Sequence, residues 1–179
     1  MRGGLGGSAS AAPPKRSFPP VVDGRARVLV LGTLPGEESL RRGEYYAHPR
    51  NLFWPIIFAL FGEPPALSYA ERLAFLGAHR IAVWDVCEIG ERERSADSKI
   101  RLERPNAIDQ LLDRHPLIRA IAFNGTTARR LYDRHFARRP TLAYLALPST
   151  SPAHATIDFS TKLARWTALR EIVTEDGGP

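Results

Sequence analysis

The chain has 179 residues, 44% of them hydrophobic, which suits one compact domain with its own core and leaves little room for a second. Its single cysteine, Cys87, excludes an intramolecular disulfide framework and any cysteine-rich zinc or iron-sulfur site. The net charge of +6 is a weak pointer to nucleic acid, because Arg2, Lys15, Arg16, Arg25 and Arg27 against Asp23 place +4 of it in the first 27 residues.

The N-terminal residues 1–24 are rich in Gly, Ala, Ser and Pro and read as a disordered tail without the apolar centre of a secretory signal, its basic residues adding only salt-sensitive, non-specific affinity. Residues 25–175 read as the folded domain. No run is long or apolar enough to cross a bilayer, so no membrane partner and a cytoplasmic setting are expected.

Val28 to Leu31 is a continuous apolar run that breaks into Gly32-Thr33-Leu34-Pro35-Gly36, the pattern of a buried strand emptying into a loop. The glycines there allow close backbone approach to a ligand. The loop continues through Ser39-Leu40 and Tyr45-Tyr46-Ala47-His48-Pro49-Arg50-Asn51 to a helix with Phe53, Ile56, Ile57 and Leu60 on one face. Asn51 reads as its N-cap, and Pro55 sits near the first turn, where a missing N–H costs least.

Ser68 to Glu71 matches a capping box and predicts a helix to about Ala78. A second strand, Ile81 to Val86, empties into a charged loop from Cys87 to Arg104 that includes Ser95-Ala96-Asp97-Ser98. Asn106 then reads as the cap of a helix with Ile108, Leu111 and Leu112 inward, stopped before Pro116. The third strand, Arg119 to Phe123, leads through Asn124-Gly125 into a helix ending near Phe136. A fourth, Thr141 to Leu147, empties into Pro148-Ser149-Thr150-Ser151-Pro152-Ala153-His154, and a last helix, capped by Ser160, carries Leu163, Trp166 and Leu169.

Four short apolar strands alternating with helices predict an α/β protein: a three-layer α/β/α sandwich around a central four-stranded parallel sheet. Ligands of such sheets bind beyond the carboxyl ends of the strands, so the four unusual loops should meet at one site. That nominates the stretch from Gly32 to Phe53, Asp85, Asn124, and Ser149 to His154 as neighbours. The fingerprints of dinucleotide-binding folds, P-loops and Gly-x-Ser-x-Gly hydrolases are absent.

Gly32-Thr33-Leu34-Pro35-Gly36 after the first strand, its Tyr46-Ala47-His48-Pro49-Arg50-Asn51 extension, and Leu147-Pro148-Ser149-Thr150-Ser151-Pro152-Ala153 after the last resemble the two signature motifs of the uracil-DNA glycosylase superfamily. They are most similar to those of its hypoxanthine-DNA (deoxyinosine) glycosylase branch, and the resemblance runs from about Arg27 to Val173. It implies a monofunctional DNA glycosylase that works as a monomer without cofactor or metal. The implied partner is DNA containing a deaminated base, flipped out of the stack and held by its edge and its face.

Two departures matter. Many members of the superfamily carry an acid or Asn where this chain has Leu34, and a histidine where it has Leu147. Both changes fit the hypoxanthine branch, whose catalytic Asn corresponds to Asn51. The resemblance places Gly32, Thr33, Leu34, Pro35, Gly36, Tyr46, His48, Phe53, Asp85 and Asn124 around the base, with Phe53, Tyr45 or Tyr46 stacking on it. Ser149, Thr150, Ser151 and His154 fall where phosphates are gripped, and Ser151 where relatives insert a wedge into the duplex. Residue chemistry alone leaves other readings open. Asn51 also suits a cap, His48 packing against Tyr46, Asp85 and Asn124 turns, and Trp54, Trp84 and Trp166 the core. A uracil-preferring enzyme and a catalytically silent binding module remain as alternatives.

Overall fold

The structure is a computed structural model that describes residues 14–66, 68–92 and 100–175. Four strands form the parallel sheet, in the order β3 (Ile81–Asp85), β2 (Val28–Gly32), β6 (Ala120–Asn124), β7 (Ala143–Leu147). Val28 lies opposite both Ile81 and Ala120, so β3, β2 and β6 start level and end level. β2, β3 and β6 are buried along their whole length, as their unbroken apolar runs require.

Helices flank the sheet: α2 (Phe53–Leu60), α3 (Tyr69–Ala78), α4 (Ile108–Arg114), α5 (Thr126–His135) and α6 (Phe159–Thr174). α2 packs on α6, α3 on β3, and α5 on β6 and β7. The capping box of Ser68 and Glu71 is present in full at the start of α3. Trp54, Trp84 and Trp166 are core residues; Trp166 is fully buried with its indole N–H on the Pro148 carbonyl.

Several local expectations are corrected. The charged segment after β3 is a hairpin, β4 (Cys87–Arg92) with β5 (Ile100–Pro105), whose pairing is interrupted by two register shifts; Ser95 to Ser98 lie outside the described residues. The N-terminal segment is ordered from residue 14 on, against its reading as a tail to residue 24. β1 (Lys15–Arg16) adds to β4 as a third antiparallel strand, and Val21 exchanges two 2.9 Å backbone hydrogen bonds with Val83. Lys15 and Arg16 face Glu37 and Glu88 at 3.6 and 2.6 Å. Residues 1–13 are outside the described part.

A short helix, α1 (Glu37–Arg42), stands inside the first loop, acidic in its first turn and basic in its last. Asn106 does not cap α4: its Nδ2 donates to the carbonyls of Asp85 and Cys87, fastening the end of β3 to β4. Ser160 does not cap α6 either. Asp158 does, accepting the Thr161 N–H at 2.8 Å while Ser160 donates to the same carboxylate.

Candidate active site

Because the parallel strands end level, the loops after β2, β3, β6 and β7 meet at one end of the sheet. They enclose a cavity of about 420 Å3, within the roughly 300–1,000 Å3 of small-molecule sites. Its lining includes Thr33, Leu34, Pro35 and Gly36 from the loop after β2, Tyr46 and Asn51 from further along that loop, and Asp85, Asn124 and Ser149 from the ends of the other strands. The convergence expected from the strand pattern is present. The members differ in what they offer.

Gly32 is not in the cavity wall. A Cβ there would sit 2.6 Å from Asp85 Oδ1 and 3.0 Å from the Tyr46 hydroxyl, so the close approach that requires glycine is made by the chain's own side chains, not by a ligand. Asp85 is only 3% exposed, a carboxylate set at the mouth of a fully buried strand. Ser17, on the N-terminal arm, donates to its Oδ2 at 3.1 Å.

Phe53 is also absent from the wall. It is fully buried, and Tyr46 covers it in a stacked pair with ring centroids 4.0 Å apart. Tyr46 therefore faces the cavity, and Phe53 is the support behind it. Tyr46 takes a left-handed backbone conformation, φ 56°, uncommon for an aromatic residue. Its neighbours hold it there: Trp54 donates to the Tyr45 carbonyl at 2.9 Å, and the Tyr45 hydroxyl reaches the carbonyls of Phe18 and Pro19.

Asn51 lines the cavity at the start of α2, and its Oδ1 accepts the Phe53 N–H at 2.9 Å. The N-cap position is Leu52 and not Asn51, and the Asn51 side chain holds the first N–H of the helix from one residue further back. With Oδ1 anchored, Nδ2 is the end left to act on a ligand, and an amide cannot serve as a strong base. His48 does not pack on Tyr46 through a ring contact. Its Nδ1 accepts from the Arg50 N–H at 3.1 Å, which in the neutral ring leaves the proton on Nε2. His48 and Arg50 both line the cavity, and Arg50 is exposed.

Asn124 and Thr150 are bound to each other. Asn124 Nδ2 donates to Thr150 Oγ1, and the Thr150 N–H donates to Asn124 Oδ1, both at 2.9 Å. Thr150 is fully buried and its carbonyl accepts the Leu52 N–H, so it locks the second loop and does not offer its N–H to a phosphate as expected. Ser149 Oγ accepts the Ser151 N–H and Ser151 Oγ that of Ala153, winding the loop into a short 3-10 turn over Pro152–His154. His154 is exposed at the end of that turn, outside the cavity wall. Its carbonyl accepts from Lys162 Nζ at 2.8 Å; Lys162 itself is 1% exposed.

Leu34 and Leu147 are 5% and 6% exposed, apolar groups at the two places where an acid or a histidine is expected in many relatives. Sequence reasoning gave no role to Glu37 and Glu38, which lie inside the nominated stretch and line the cavity from α1. The charged run Glu37-Glu38-Ser39-Leu40-Arg41-Arg42, acids first and bases last, was the available signal. It missed Ser17 too, and no local signal marked that residue. Among the described residues no three His, Cys, Asp or Glu side chains are grouped as metal ligands would be.

Comparison with known proteins agrees with this geometry. The family described as the Uracil DNA glycosylase superfamily matches residues 19–171. A hypoxanthine DNA glycosylase of Methanosarcina barkeri is 40% identical over 112 residues, 62% of this chain and 71% of the relative. One from Methanosarcina acetivorans is 42% identical over 115 residues, 64% and 73% of the two chains. The solution NMR structure of a protein provisionally described as a uracil DNA glycosylase, from Methanosarcina acetivorans, superposes with a TM-score of 0.75 at 34% identity, over 89% of this chain and 98% of that one. With a family match over most of its length and a cavity at the carboxyl end of the expected sheet, the chain belongs to the uracil DNA glycosylase superfamily.

Proposed function

We propose that the protein is a DNA glycosylase that hydrolyses the N-glycosidic bond of deoxyinosine, releasing hypoxanthine from DNA by base flipping. The observation that carries this reading is one cavity with an anchored amide donor, Asn51, and an acceptor-only carboxylate, Asp85, beside a supported aromatic face, Tyr46. Hypoxanthine presents an N1–H donor next to an O6 acceptor. Asp85 accepts from N1–H, whereas adenine turns a lone pair toward the same carboxylate and is disfavoured.

The flipped base stacks on the face of Tyr46 that Phe53 does not cover. As the bond to deoxyribose breaks, positive charge grows on the sugar and negative charge on the base. Asn51 Nδ2 and the N–H groups of the Thr33 to Gly36 loop meet the charge on the base. Water adds to the sugar without a strong general base, since Leu34 supplies none, so departure of the base limits the rate. Ser149, Ser151 and His154, with Arg50, take the flanking phosphates, while Asn124 and Thr150 hold that loop in shape. The protein acts as a monomer. The named relatives, called hypoxanthine DNA glycosylases, support the choice of base.

Single-turnover cleavage of labelled duplexes carrying one deoxyinosine or one deoxyuridine, followed by alkaline scission of abasic sites, tests it with wild type and Asn51→Ala. Abasic product from deoxyinosine that disappears in Asn51→Ala is the expected result. Release of uracil alone keeps the chemistry and overturns the substrate; binding without product overturns the activity.

A further inference from the structure

The N-terminal arm carries a group that touches the base pocket from behind. Ser17 Oγ lies 3.1 Å from Asp85 Oδ2, and 3.1 Å from the Phe18 carbonyl. One hydroxyl proton cannot serve both. The Phe18 carbonyl already accepts from Trp84 Nε1 at 3.0 Å and from the Tyr45 hydroxyl at 3.3 Å, whereas Asp85 offers a charged acceptor, which draws the stronger bond.

The arm is held firmly enough to act as a support. The Ser17 N–H donates to the Glu88 carbonyl at 2.8 Å, Val21 pairs with Val83, and the Phe18 ring sits edge-on to Tyr45 at 5.3 Å. The other carboxylate oxygen, Oδ1, is on the side of Gly32 and the Tyr46 hydroxyl. Asp85 thus has one oxygen directed at the arm and the other at the loop that frames the cavity. A carboxylate rotates easily about its last bond, and a donor on Oδ2 removes that freedom.

We propose that Ser17 is a positioning residue of the active site, orienting the Asp85 carboxylate so that Oδ1 meets the imino N–H of the flipped base. The arm is then part of the catalytic domain and its sequence sets base selectivity. This rests on the reading of Asp85 as the edge acceptor, and its test separates the two.

The test is a double-mutant cycle in the full chain: wild type, Ser17→Ala, Asp85→Asn and the pair, with Ser17→Thr as the rescue and thermal midpoints recorded for each. Ser17→Ala is expected to lower single-turnover deoxyinosine cleavage about tenfold, the scale of one hydrogen bond to a charged group. Ser17→Thr restores most of it, and in the Asp85→Asn background Ser17→Ala changes the rate by less than about twofold. An unchanged rate in Ser17→Ala, an equal loss in both backgrounds, or no rescue by Thr overturns the proposal. If Ser17→Ala does not fold, Ser17→Cys, similar in size and a weaker donor, carries the same cycle. If wild type releases no hypoxanthine, the proposed function fails on its own. The cycle then reads binding of a deoxyinosine duplex against an undamaged one. A loss of preference that needs Asp85 supports the role of Ser17, and one that does not, or no loss, overturns it.

Discussion

Asn124 and Thr150 exchange two hydrogen bonds of 2.9 Å, joining the carboxyl end of β6 to the loop that follows β7. The pair is buried on both sides. Asn124→Ala strands the Thr150 N–H and is expected to cost about 1–3 kcal/mol of stability, the penalty of an unsatisfied buried donor. Because the loop it holds is the one proposed to grip the phosphates, the enzyme concentration needed for half-maximal cleavage should rise more than the saturated rate falls. Single-turnover titrations with wild type and mutant check this; an unaltered half-saturation point contradicts it.

Gly32→Ala places a methyl 2.6 Å from Asp85 Oδ1 and 3.0 Å from the Tyr46 hydroxyl. Both must give way, and overpacking of this kind costs roughly 1–3 kcal/mol. Since the displaced groups are the proposed edge acceptor and stacking platform, base release should fall by more than the drop in stability accounts for. Parallel melting curves and cleavage rates decide the point.

Asn51 combines a structural role with the proposed chemical one, and Asn51→Asp separates them. The carboxylate still accepts the Phe53 N–H, so the start of α2 should hold to within about 1 kcal/mol. The Nδ2 donors are gone, so cleavage should drop on the order of 100-fold or more, the cost of losing a donor to developing charge. Cleavage at the wild-type rate shows that the amide donor is not needed.

Burial holds the Lys162 ammonium below its ordinary pKa. Between the lowered value and the ordinary one, the unfolded chain binds more protons than the folded protein, so this residue adds stability as pH rises through that window. The stability of wild type relative to Lys162→Met should therefore improve from neutral pH toward 10, measured by urea unfolding at several pH values. A constant difference contradicts the assignment.

Burial, reinforced by the charges of Glu103 and Asp85, pushes the Cys87 thiol up to about 12. Cys87 is fully enclosed. An aromatic disulfide reagent at neutral pH should leave it untouched in the folded protein and label it once denaturant unfolds the chain. Rapid labelling without denaturant contradicts this.

The parts of the molecule that could be read from sequence are those fixed by neighbours in the chain. Val28–Leu31, Ile81–Asp85 and Ala120–Phe123 are short apolar runs bounded by turn residues, and Ser68-Glu71 is a cap with its partner three residues away. What escaped depends on distant partners. Arg16 becomes a strand residue only because β4 is beside it, and Asn106 leaves its helix because two carbonyls of β3 and β4 attract its amide more strongly. Phe53 and Tyr46 both qualified as stacking groups, and only packing orders one behind the other. Ser160 reads as the cap, and the Asp158 carboxylate, two residues earlier, takes the N–H instead. The family motifs located the cavity; they carry no information on Ser17, which reaches Asp85 from 68 residues away in sequence.

β3 is an outer strand of the parallel sheet, with β2 as its only strand neighbour there among the described residues. Its far side would be a row of open N–H and C=O groups, the kind of border onto which another chain can zip. Val21 meets that border at Val83, and the arm around it lies along the same margin. Cutting the arm away should therefore do more than weaken the fold: it should turn a well-behaved protein into one that self-associates on warming through the margin of β3, with the remaining margin at β7 unchanged.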